Sequence, residues 1–106
     1  PEEATVSVFD RGFLYGDSLY EVARSYRGEF LYLDEHLSRI EKSAELCRMV
    51  LGQSLEEYRQ QIHRTFAAFR AQPGGAKAEA YMRIILTRGV GRIGFGIGDR
   101  CRRLAG

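Results

Sequence analysis

The segment Phe9-Asp10-Arg11-Gly12-Phe13-Leu14-Tyr15-Gly16-Asp17-Ser18-Leu19-Tyr20-Glu21 sets four aromatics, two glycines and four charges into thirteen positions. That is more than a strand or a turn needs merely to fold, and it points to something bound against it. Further on, Glu35-His36-Leu37-Ser38-Arg39-Ile40 places an arginine at the edge of an apolar helical stripe. A guanidinium there has two uses. It can lay its stem over the core, or it can present a planar fork to a carboxylate or phosphate. A further arginine stands in Tyr81-Met82-Arg83, on the face of a strand where a purely structural strand would carry aliphatics or short polar groups.

Arginine supplies 14 of the 16 basic residues, although the net charge is only +2. The excess suits anionic small molecules, and it also follows from a high-GC genome, so only the placement of individual arginines decides. Tyr20, Arg24, Tyr26, Arg27 and Tyr32 interleave as a base-stacking surface would, but the near-neutral charge and the lack of a recognition signature weigh against nucleic acid. No run approaches the roughly 20 apolar residues of a membrane span. The start, Pro1-Glu2-Glu3-Ala4, has no signal-peptide character, so a cytoplasmic location is expected. Cys47 and Cys101 are far apart and are expected to be free thiols in a reducing compartment. There is no CxxC, HExxH or calcium-loop pattern, His36 and His63 fall on different helices, and no metal site is expected. Gly89 to Gly98 is rich in glycine but lacks the Gly-Lys-Ser or Gly-Lys-Thr of a phosphate loop, so it is taken as a connection. A serine nucleophile lacks its Gly-x-Ser-x-Gly elbow.

The elements that would position these side chains are legible from periodicity. At 106 residues and 44% hydrophobic the chain can build one core. Thr5 to Phe9 alternates as a short strand, followed by an aromatic turn around Phe13, Leu14 and Tyr15. Leu19 to Tyr26 and Glu29 to Leu33 predict a hairpin across Arg27-Gly28, with Tyr20, Val22, Arg24 and Tyr26 on one face and Leu19, Glu21, Ala23 and Ser25 on the other. Asp34 is the expected N-cap of a helix whose stripe is Leu37, Ile40, Ala44, Cys47 and Leu51, ended by Gly52. Ser54 and Glu57 form a capping box for a second helix with the stripe Leu55, Tyr58, Ile62, Phe66 and Phe69, stopped at Pro73-Gly74. Ala80 to Arg88 predicts a strand with Met82, Ile84 and Leu86 turned to the core and Tyr81, Arg83, Ile85 and Thr87 turned away. The fold class is therefore α+β, an antiparallel sheet with two helices on one face. Asp99 to Gly106 shows neither periodicity nor a stop signal, so the chain is expected to be cut short there.

Phe9-Asp10-Arg11-Gly12-Phe13 with Tyr15-Gly16-Asp17 and Tyr20-Glu21, then His36-Leu37-Ser38-Arg39-Ile40, then Tyr81-Met82-Arg83 and Thr87-Arg88-Gly89-Val90-Gly91 resemble, in order and spacing, the class IV aminotransferases. That family includes branched-chain and D-amino-acid aminotransferases and aminodeoxychorismate lyase. The resemblance implies the small domain of a two-domain, fold-type IV enzyme that uses pyridoxal 5'-phosphate (PLP). It implies that Arg39 holds the cofactor phosphate. Tyr81 and Arg83 would face the substrate, Tyr20 would line the side-chain pocket with Arg24 near it, and Tyr15 would reach the neighbouring subunit's site in a homodimer. The family's cofactor-bearing lysine belongs to a second domain, and neither Lys42 nor Lys77 matches it. So residues 1–106 are expected to be an N-terminal segment that is inactive alone and holds no catalytic residue. Tyr-x-Arg followed by Thr-Arg-Gly-Val-Gly, with Cys101 after Asp99-Arg100, is closest in look to the branched-chain type. That implies transfer of an amino group from an L-amino acid to a 2-oxo acid. The alternatives are the lyase, which yields 4-aminobenzoate and pyruvate, and a non-catalytic small-molecule-binding remnant.

Overall fold

The computed structural model describes residues 2–91. Strand β1, Ser18–Tyr26, is the central strand of a three-stranded antiparallel sheet, flanked by β2, Glu29–Phe30, and β3, Tyr81–Thr87, in the order β2-β1-β3. The β1–β2 hairpin closes over Arg27 and Gly28, both at positive φ (52° and 83°), the left-handed pair that a two-residue turn needs to match strand twist. β1 and β3 pair along seven residues from Ser18↔Thr87 to Arg24↔Tyr81.

Helices α2, Leu33–Leu46, and α3, Leu55–Arg70, pack on one face of this sheet. The cores form because each element turns its apolar side inward. Ala23, Leu33, Leu37 and Ile62 bury one another, with Phe30, Tyr58, Met82 and Ile84 against them. Ile40, Ala44, Met49 and Leu86 extend the same layer. Ser54 and Glu57 make the expected capping box at the start of α3. The α+β class and the single-sided placement of the helices agree with the sequence.

Several boundaries differ, for local reasons. Residues 5–9 are not a strand; Val6, Val8 and Phe9 are exposed, and the isolated Asp10↔Val90 bridge lies just beyond them. The aromatic turn is a short helix, α1, Arg11–Tyr15, capped by Asp10, whose carboxylate accepts from the Gly12 N–H, and closed by Gly16 in the left-handed region. Gly12 has no room for a side chain, since a Cβ there would lie 2.6 Å from Thr87 Cγ2. β2 stops at Phe30 because Tyr32 turns left-handed (φ 56°) and becomes the N-cap of α2, which leaves Asp34 inside the first turn, paired with Arg59. α2 ends at Leu46 rather than near Gly52: left-handed Arg48 reverses the chain so that Met49, not Cys47, enters the core. Cys47 is exposed. Phe69, expected in the buried stripe, is 46% exposed and stacks on Phe66. The glycine-rich run from Arg92 onward, Cys101 and the chain end lie outside the described residues.

Candidate functional site

On β1 and β3 the residues that do not face the helices form an open surface. Tyr20 pairs across the strands with Ile85, Val22 with Arg83 and Arg24 with Tyr81. Tyr20, Tyr81 and Ile85 are 64%, 75% and 58% exposed, far more than aromatics and aliphatics of a covered sheet. The Arg83 guanidinium lies 5.2 Å from the centre of the Tyr20 ring. So Tyr20, Arg24, Tyr81 and Arg83 are brought together as the alternation predicts.

Arg39 lies on the other side of β1. Its Nε donates to Glu21 Oε2 at 2.7 Å and its Nη2 to Glu21 Oε1 at 2.8 Å, a bidentate pair. His36 Nδ1 stands 2.8 Å from the same Oε1, and because a carboxylate only accepts, that nitrogen carries the proton. Glu21 is buried, whereas the Arg39 side chain is 67% exposed. Among the described residues its hydrogen bonds run from Nε and Nη2 to Glu21, and none runs from Nη1. The guanidinium is thus fixed along one edge and open along the other. Beside it lies a shallow depression lined by Asp34, Glu35, Ser38, Arg39 and Lys42, with two acids and two bases.

The hydrogen bond from Arg39 is the main reason that the Glu21 carboxyl is held below the ordinary glutamate range; burial opposes it and His36 adds to it. A carboxylate with a depressed folded pKa stabilises the fold above its unfolded pKa of about 4.3, and that contribution is lost as pH falls through the folded value. Unfolding free energy measured from pH 7 downward should therefore fall less steeply below about pH 4.3 in Glu21→Gln than in the wild type. Equal slopes would show that Glu21 is not coupled to folding in this way.

Tyr15 stands apart from both groups, at the end of α1, with Arg11 5.3 Å from its ring centre. That corner is braced by Arg88, which is buried and donates to Asp17 Oδ2 at 2.7 Å and to the carbonyls of Arg48 and Cys47 at the end of α2. Sequence reasoning includes Glu21, His36 and Arg88 in the motifs that carry the resemblance but gives none of them a role. The signal for Glu21 was present: an acid sharing the inward face with Leu19, Ala23 and Ser25 requires a buried partner.

Residues 18–103 match the family model of amino-transferase class IV. The chain belongs to the class IV aminotransferase family. Among curated relatives of this family member, D-alanine aminotransferase of Listeria monocytogenes is 37% identical over 89 residues, covering 84% of this chain and 29% of that protein. A Methanocaldococcus jannaschii protein assigned as a branched-chain-amino-acid aminotransferase is 36% identical over 93 residues, 88% of this chain and 30% of that protein. The solved Escherichia coli branched-chain amino acid aminotransferase superposes with a TM-score of 0.64 at 26% identity, over 93% of this chain and 31% of that one. A Legionella pneumophila protein assigned as a 4-amino-4-deoxychorismate lyase shares the fold, with a TM-score of 0.71 at 19% identity over 94% of this chain and 34% of that one. The class IV chain spans about three tenths of the length of the curated relatives that it matches. Among the described residues no helix is long and apolar enough to cross a membrane, and no cluster could hold a metal ion.

Proposed function

We propose that residues 1–106 are the small domain of a two-domain, PLP-dependent aminotransferase, which moves an amino group from an amino acid to a 2-oxo acid. The observation that supports this is that two arginines flank β1 on opposite faces, Arg39 held by Glu21 on the helix side and Arg83 over the Tyr20 ring on the outer face. β2 covers only Ser25 and Tyr26 of β1, so the other edge of β1 from Ser18 onward has no partner strand among the described residues. Arg39 meets Glu21 of β1 on the helix side, and Tyr20, one residue from Glu21, stands on the opposite face.

The open edge of Arg39 fits a phosphate, because Glu21 fixes the orientation of the guanidinium before any ligand arrives and leaves Nη1 without a hydrogen bond on a side chain that is mostly exposed. When bound, the cofactor supplies the electron sink that transamination needs. Arg83 binds the substrate carboxylate and Tyr81 orients it. Tyr20 lines the side-chain pocket with Val22 and Ile85, an apolar surround suited to a branched aliphatic chain, and Arg24 borders it. In a homodimer, Tyr15 reaches the neighbouring site from a corner where Phe9, Phe13 and Leu14 are already exposed. The lysine that bears the cofactor belongs to the second domain. A cytoplasmic location is part of the same proposal.

The amino donor is taken to be a branched-chain L-amino acid. The test is a donor screen on the full-length protein, with 2-oxo acid formation followed against L-leucine, L-valine, L-isoleucine and D-alanine. Arg83→Gln should raise KM for the donor by about tenfold or more while the cofactor remains bound. Preference for D-alanine would transfer the assignment to the D-amino-acid branch, and release of pyruvate from aminodeoxychorismate without transamination would transfer it to the lyase.

A further inference from the structure

We infer that Glu79 is a positioning residue for substrate binding: it clasps the sheet end through Ser25 so that Tyr81 is held in register on the outer face. This rests on the proposed role of that face. Ser25 is 1% exposed, one of the two largest fully buried side chains, and a hydroxyl there must be satisfied. Its Oγ donates to Glu79 Oε1 at 2.8 Å and accepts from the Ala80 N–H at 2.8 Å. The Ser25 N–H in turn donates to the Ala80 carbonyl at 2.9 Å. Ala80 immediately precedes Tyr81, so three bonds fix the backbone on which Tyr81 stands, directly opposite Arg24.

Glu79 gathers more than Ser25. Arg70 Nη2, from the last turn of α3, donates to Oε1 at 3.0 Å, and Arg70 Nε donates to the Ala78 carbonyl. The Gly28 N–H of the hairpin turn lies 3.3 Å from both carboxylate oxygens. One carboxylate therefore ties the hairpin turn, the end of α3 and the start of β3 at a single point. Arg24, Ser25, Tyr26, Glu79, Ala80 and Tyr81 line a common hollow there, so a shift of the clasp is a shift of the ligand-facing side chains. Alanine at 79 would release the Ser25 hydroxyl, the Gly28 N–H and Arg70 together, and so opens the clasp.

The experiment uses the full-length enzyme and compares Glu79→Ala and Ser25→Ala in the wild-type and Tyr81→Ala backgrounds. In the wild-type background each should raise KM for the amino donor about tenfold, with kcat and cofactor affinity changed less than about twofold. In the Tyr81→Ala background, Glu79→Ala should add less than about twofold, because its effect passes through Tyr81. A general loss of stability would not disappear in that background. Equal KM effects in both backgrounds, or no KM effect in the wild type, would overturn the inference. If Tyr81→Ala alone leaves KM unchanged, the outer face is not the substrate face, and the proposed function of that face fails before the clasp does.

Discussion

Leu37→Ala is expected to destabilise the chain by about 3 kcal/mol. Leu37 is fully buried, packed with Ala23 of β1, Leu33 of α2 and Ile62 of α3, so it stands where both helices meet the sheet. Removing its isobutyl group forfeits transfer free energy and leaves a void among side chains that belong to three different elements and cannot close together without moving one of them. For a domain of this size that is a large share of the total stability of some 5–15 kcal/mol. Urea unfolding should show a lower midpoint at an unchanged slope. A loss below about 1 kcal/mol would mean that α2 is not held to the sheet through this residue. The consequence reaches the site, since Leu37 lies between His36 and Arg39, and the Glu21 pairs depend on how closely α2 lies against β1.

The strand faces and the second helix were legible because each carries its own signal. Period-two alternation placed Glu21, Ala23 and Ser25 inward and Tyr20, Arg24, Tyr81 and Arg83 outward, and the capping box at Ser54 placed the start of α3. What was not legible depended on tertiary partners. Alternation at Thr5 to Phe9 predicts a strand, but a strand also needs a neighbour, and periodicity does not supply one. Asp34 is a good cap by type, yet left-handed Tyr32 begins the helix earlier and Asp34 pairs with Arg59 of α3, a residue far along the chain. Spacing alone favours a snorkelling arginine at position 39, and only the resemblance points to a phosphate. It is the inward-facing Glu21, on an element fifteen or more positions away, that fixes the guanidinium. Arg88 was hidden for the same reason: its partners are carbonyls at the end of α2.

Arg39→Ala is expected to weaken PLP binding by the full-length protein about a hundredfold or more, the worth of charge-assisted hydrogen bonds to a dianion that alanine cannot replace. The side chain is 67% exposed, so its loss removes little packing. Glu21 keeps His36 as a partner and its carboxyl rises towards the ordinary range, since its first cause of depression is gone. The fold should persist at neutral pH, with helix and sheet content unchanged by circular dichroism. Arg39→Lys should recover only part of the affinity, because an ammonium cannot pair with Glu21 bidentately and face a phosphate along a second edge.

The most direct measurement is a PLP titration of the full-length protein, followed by cofactor absorbance, for the wild type and Arg39→Ala side by side under conditions where both are folded. Saturable binding by the wild type, with an affinity about a hundredfold or more above that of the variant, is the result expected if Arg39 anchors the phosphate. Equal affinities in two folded proteins, or no saturable binding by the wild type, would contradict it.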